Sequence, residues 1–66
     1  MYSTTSKLTE KVCNKIGFIF DIQFVETMQR NGKIYVKGTC GKASEFNALR
    51  LACKNNGYIY KGLIPS

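Results

Sequence analysis

One dipeptide constrains this chain more than any other feature: Asn31-Gly32, set between two runs in which apolar and polar residues alternate. Asn-Gly readily takes the left-handed backbone of a tight hairpin turn, so residues 18–40 read as an antiparallel β-hairpin. A two-residue loop at Asn31-Gly32 sets Met28 opposite Tyr35 and Phe24 opposite Thr39, mixing apolar and polar residues on each face. A three-residue loop of Arg30, Asn31 and Gly32 sorts the faces better. It gathers Phe18, Phe20, Ile22, Phe24 and Met28 with Ile34, Val36 and Cys40. Asp21, Gln23, Thr27 and Gln29 then share the other face with Lys33, Tyr35, Lys37 and Thr39. A one-residue slip exchanges the faces, so burial favours the three-residue register. Glu26 on the apolar side and Val25 on the polar side are its two misfits.

The segments flanking the hairpin read as its cover. Leu8, Val12 and Ile16 recur every fourth residue, which predicts a helix over about residues 6–16, with Thr5 or Ser6 as N-cap and Gly17 as a left-handed C-cap. Phe46, Leu49, Ala52 and Cys53 cluster within a third of a helical circumference, which predicts a second helix over about 44–56. Ser44 is its candidate N-cap, Glu45 suits the first turn, Lys54 suits the last, and Leu51 points outward. Gly57 stops it, and a β-rich tail over about 58–64 reads as a third strand with an aromatic face from Tyr58 and Tyr60. The strands are expected at about 18–28, 33–40 and 58–64. The fold class is therefore α+β: a small two-layer sandwich in the order α-β-β-α-β, the sheet packed against both helices.

Sixty-six residues make a single domain, 1–66, with one modest core. Hydrophobic residues at 44% and aromatics at 12% give a globular balance rather than a disordered one. Three widely spaced cysteines, Cys13, Cys40 and Cys53, do not form the even set of a disulfide-stapled secreted domain. The first residues lack a charged region followed by an apolar one, so no signal peptide is expected. No apolar run approaches the roughly 18 residues needed to span a bilayer. The expected setting is a reducing cytoplasm, with no membrane partner.

Catalysis finds little support. The chain has no histidine, which excludes Cys-His and Ser-His nucleophile pairs within one molecule. Glu10, Asp21, Glu26 and Glu45 sit on different elements with no evident pairing. No two cysteines are close enough in sequence to suggest a zinc site. Neither an enzyme nor a cofactor is expected. The stretch Gly38-Thr39-Cys40-Gly41-Lys42-Ala43-Ser44 joins a strand to a helix and offers backbone amides plus Lys42 for one anion, though its spacing is not that of a P-loop. Its glycine and lysine pattern resembles the double-stranded-RNA-binding domain only locally. That family has three strands before its last helix and a lysine cluster at the helix start, where this chain has two strands and Lys42, so no family is assigned.

Charge is the strongest pointer to a partner. Ten Lys and Arg against four Asp and Glu give +6, which favours acidic partners. Lys7, Lys11 and Lys15 form a row at helical spacing, where like charges repel slightly unless an anion docks. Lys33, Tyr35 and Lys37 alternate along the second strand, where lysines can neutralise phosphates and a tyrosine can stack on a base. With Arg30 and Lys42 these are the candidate binding residues. The leading expectation is a small basic module contacting nucleic acid, monomeric or weakly dimeric. The alternative is a protein-interaction module, an adaptor or inhibitor of a larger protein of the kind phages encode, using the hairpin edge or outer face on an acidic protein surface. Convergence of the lysines on one face would favour nucleic acid; scatter would favour a protein partner.

Overall fold

In the computed structural model, which describes residues 2–20, 24–39 and 41–62, the chain runs α1 (Lys7–Ile16), β1 (Val25–Arg30), β2 (Lys33–Gly38), α2 (Ala43–Asn55) and β3 (Ile59–Tyr60). The α-β-β-α-β order and both helices follow the sequence reading. Ser6 is the N-cap of α1, its hydroxyl accepting the Thr9 amide at 3.1 Å, and Gly17 closes the helix at φ 83°. The sheet order is β1-β2-β3, with β1 antiparallel and β3 parallel to β2. Helix α2 is the crossover that a parallel return requires.

The hairpin register differs from expectation. Arg30 pairs with Lys33, Met28 with Tyr35 and Val25 with Gly38, so the loop has two residues, not three. Asn31 at φ 53° and Gly32 at φ 76° both take the left-handed backbone of a primed turn, whose twist matches that of the strands it joins. The face assignment of β2 stands, with Val36 buried, but that of β1 inverts. Val25 and Thr27 are buried at 0% and 1% exposure, while Glu26 and Met28 turn to the open side. Sorting by polarity failed at Thr27, a polar residue that is buried because it has a partner.

The strand boundaries also move. Residues 18–20 are not strand: the Phe18 amide bonds back to the Cys13 carbonyl at 2.9 Å, and the Phe18 ring stacks on Phe24 at 5.6 Å. Phe20, expected on the apolar face, is 37% exposed and does not line the core, and its neighbour Ile19 is 87% exposed. The readings placed on Asp21, Ile22, Gln23, Cys40 and residues 63–66 lie outside the described residues. Helix α2 begins one residue before Ser44. Lys42 is its N-cap, and the Lys42 amide donates to Glu45 Oε1 at 2.9 Å.

The core gathers Val12 and Cys13 of α1, Val25 of β1, Val36 of β2, and Leu49 and Cys53 of α2. Leu8, Ile16, Phe24, Ile34, Tyr58 and Tyr60 pack around it. Thus Leu8 and Ile16 flank the buried stripe of α1, and Thr9 and Cys13 share its centre with Val12.

Thr9 is the hub of a hydroxyl network whose proton directions follow by elimination. Its Oγ1 lies 2.8 Å from the Ser3 carbonyl, 2.7 Å from Thr27 Oγ1 and 3.0 Å from Ser6 Oγ. A hydroxyl has one proton and two acceptor sites. The carbonyl can only accept, so Thr9 donates to Ser3, and both Thr27 and Ser6 donate to Thr9. The oxygen is saturated. Thr9→Val leaves the buried Thr27 hydroxyl without its acceptor and should destabilise by about 1–3 kcal/mol in urea unfolding. Thr9→Val/Thr27→Val should lose less than the two single variants summed; strict additivity would show the pair to be uncoupled.

The buried thiols set an alkaline limit on stability. Desolvation, followed by the nearby Cys13, pushes the Cys53 thiol up to about 11 from 9.0, and burial raises Cys13 as well. A raised thiol pKa means that the folded chain holds protons that the unfolded chain releases. Stability from this source is therefore complete below pH 9 and should fall as pH climbs from 9 through about 11. Cys53→Ala should flatten that decline in denaturation midpoints measured across this window.

Candidate nucleic-acid interface

Both helices cover one face of the sheet, α1 over β1 and α2 over β2 and β3, and among the described residues neither helix covers the other face. Alternation along paired strands decides what that face carries. Glu26, Met28 and Arg30 stand on it from β1, opposite Lys37, Tyr35 and Lys33 of β2. Ile59, paired with Tyr35, extends it onto β3. Lys61 completes it, its Nζ lying 5.5 Å from the centre of the Tyr35 ring.

A second ring reaches this face from the other end of the sheet. Ser3 and Thr27 exchange two backbone hydrogen bonds of 2.9 Å each, which adds a one-residue antiparallel bridge beyond β1. Tyr2 is thereby laid beside the hairpin, with Lys37 Nζ 4.6 Å from its ring centre. Partial desolvation raises the Tyr2 pKa, helped by Tyr35 and then Glu26, either of which would repel a phenolate. Lys37 also pairs with Glu26 at 3.7 Å. At 29% and 25% side-chain exposure this ion pair is partly screened and positions Lys37 more than it stabilises the fold. The result is two half-buried tyrosine rings, each with a lysine over it, on the sheet face that neither helix covers. Four cations, Arg30, Lys33, Lys37 and Lys61, accompany one carboxylate, Glu26.

The eight residues singled out from sequence divide. Arg30, Lys33, Tyr35 and Lys37 share the open face. Lys7, Lys11 and Lys15 do not join them. At about 100° per residue their row centres roughly 150° from the buried Thr9, Val12 and Cys13, so it points away from the sheet. Lys42 caps α2, and its amide already serves the Glu45 carboxylate, which occupies the place a bound anion would take. The two glycines beside it serve packing. A Cβ on Gly38 would collide with the Phe46 ring, and one on Gly41 would lie 2.8 Å from the Phe24 ring, with Gly41 at φ 130°. The loop is shaped by aromatic side chains rather than for phosphate.

Tyr58 and Tyr60, whose strand the sequence reading left free to face either way, turn inward against the core, which leaves Ile59 and Lys61 outward. Sequence reasoning missed Lys61 because it left the phase of the last strand open. It missed Tyr2 because the Ser3–Thr27 bridge joins segments far apart in the chain, and no local pattern marks it. Among the described residues no group of three or more His, Cys, Asp or Glu could hold a metal ion, and no helix is long and apolar enough to cross a membrane. Comparison with protein-family models, curated proteins and solved structures found no match for this chain.

Ser3 thus anchors one of the two rings. Ser3→Pro removes the amide that donates to the Thr27 carbonyl. It should raise the exchange rate of the Thr27 amide, which donates to the Ser3 carbonyl, and lower the Tyr2 pKa towards 10.0 in an ultraviolet titration. An unchanged titration would show that Tyr2 is held by other contacts.

Proposed function

We propose that this chain is a non-enzymatic binding module for single-stranded nucleic acid, with the open face of the sheet as its contact surface. The observation that carries the reading is the placement of Tyr2 and Tyr35 on the face that neither helix covers, among Arg30, Lys33, Lys37 and Lys61. Cations track a phosphate backbone, and aromatic rings offer bases a stacking platform that tolerates any sequence. A base can replace a lysine over either ring while the displaced ammonium moves to the adjoining phosphate. Free thiols at Cys13 and Cys53 suit a reducing cytoplasm, where we place its action. The departure of Lys7, Lys11, Lys15 and Lys42 from the sheet face counts toward the alternative, an adaptor or inhibitor using the hairpin edge or outer face on an acidic protein surface. Nucleic acid is preferred because two tyrosine rings share the sheet face with four cations, and the Ser3–Thr27 bridge occupies part of the hairpin edge.

The chain contains four tyrosines and no tryptophan, so its intrinsic emission reports on tyrosine alone. Titration with oligothymidylate should quench that emission. Affinity should fall with salt with a logarithmic slope of about −2 to −3, as expected for a few neutralised phosphates on a single strand. Tyr35→Ala should weaken binding by about 1–3 kcal/mol, and Tyr35→Phe should restore most of it. Salt-independent binding, or binding unaffected by Tyr35→Ala and Lys37→Ala together, would sink the proposal.

A further inference from the structure

The lysine row of α1 is the one large charged feature that the sheet-face reading leaves unused. Lys7, Lys11 and Lys15 are exposed, and among the described residues the one ion pair is Lys37–Glu26, so none of the three is ion-paired with a described carboxylate. Glu10 lies on the flank of the row. Three lysines less Glu10 on this helix face, and four cations less Glu26 on the sheet face, account for five of the six net positive charges of the chain. The two surfaces lie on opposite layers, with the core between them.

Their separation matters as much as their sign. Even the shortest dimension of the domain, 19 Å, exceeds about two Debye lengths at physiological salt. A strand held on one surface therefore repels a second strand on the other only weakly. A short oligonucleotide on the sheet face cannot also neutralise the helix row, because the sandwich stands between them. Along α1 the lysines repeat every four residues, about 6 Å along the helix axis, and form a straight line of charge suited to a phosphate backbone. That line has no aromatic residue in it, so it contacts backbone without reading bases.

We propose that the protein is bivalent for nucleic acid: the sheet face holds one strand by stacking and charge, the α1 row holds a second by charge alone, and the domain bridges them. This inference rests on the sheet-face reading for its first site, and the experiment below separates failure of the one from failure of the other. Donor-labelled and acceptor-labelled oligothymidylates of about four nucleotides, too short to reach both faces across the 19 Å domain, are mixed with the protein at about 0.15 M ionic strength, where the Debye length is about 8 Å. Energy transfer reports bridging, and anisotropy of one labelled strand at limiting concentration reports single-strand binding.

Transfer should appear with the unmodified protein and fall to the protein-free level in Lys7→Gln/Lys11→Gln/Lys15→Gln. Anisotropy affinity of that variant should stay within about threefold, since the substituted charges lie beyond the screening length from the sheet face. The reciprocal variant, Tyr35→Ala/Lys37→Gln, should lose both transfer and most single-strand affinity. Single-strand binding without transfer in the unmodified protein would overturn bivalency and leave the sheet-face reading intact, with the row then suited to an acidic protein. Transfer that persists in the triple variant would also overturn it, tracing the bridge to self-association that sedimentation would reveal. Absence of any oligonucleotide binding would remove both readings. Lys7, Lys11 and Lys15 are exposed and Tyr35 and Lys37 half-buried, and circular dichroism checks that each variant is folded.

Discussion

The fold turns on one hydroxyl pair. Thr9 and Thr27, 18 positions apart, meet at 2.7 Å in the interior, and through them α1 is fastened to β1. The same Thr9 oxygen donates to the Ser3 carbonyl, and Ser3 in turn bridges Thr27. One oxygen therefore fixes the helix, the first strand and the segment that brings Tyr2 to the sheet. It also decides which side of β1 is the inside. A buried hydroxyl without a partner is costly, so Thr27 can face the core only with Thr9 above it. Once Thr27 is inside, Met28 and Glu26 must be outside.

That dependence explains what could be read from the chain and what could not. The helices were legible because their signals are local: Ser6 and Gly17 at the ends of α1, and the spacing of Phe46, Leu49 and Cys53 in α2. The existence of the hairpin was legible from Asn31-Gly32, and so was the outward alternation of Lys33, Tyr35 and Lys37. Its register was not, because a polarity pattern cannot show that a threonine will find a partner on a helix. Here the turn chemistry of Asn-Gly was the better guide, since both residues take the positive φ that a two-residue loop needs. The glycines of the 38–41 loop were visible as permissive positions, but the reason for them, room for the Phe46 and Phe24 rings, arises only from packing.

The candidate surface was legible in half. Lys33, Lys37 and Tyr35 followed from strand alternation, and Arg30, read as a loop residue, joins them through the two-residue turn, whereas Tyr2 and Lys61 depend on contacts made by the two ends of the described chain. Net charge pointed to an anionic partner but not to its distribution. The helix row and the strand row look alike in sequence, as lysines at regular spacing, and the fold sends them to opposite layers. Composition specifies how strong the field is, and topology specifies where it acts.

The mixed pairing of the sheet bears on how the chain assembles. Strand β1 meets β2 across a two-residue turn, so their contacts close a short loop at small entropic cost. Tyr35 meets Ile59, by contrast, across 24 positions, the difference between 59 and 35, with α2 between them. Non-local parallel pairing of this kind is intrinsically slow. The expected order is hairpin and helices first, β3 last, which leaves the far edge of β2 open for a time. Such an edge invites pairing with another chain. At +6, two half-folded copies repel each other, and the charge assigned above to a ligand also guards the chain before there is a finished surface to bind one.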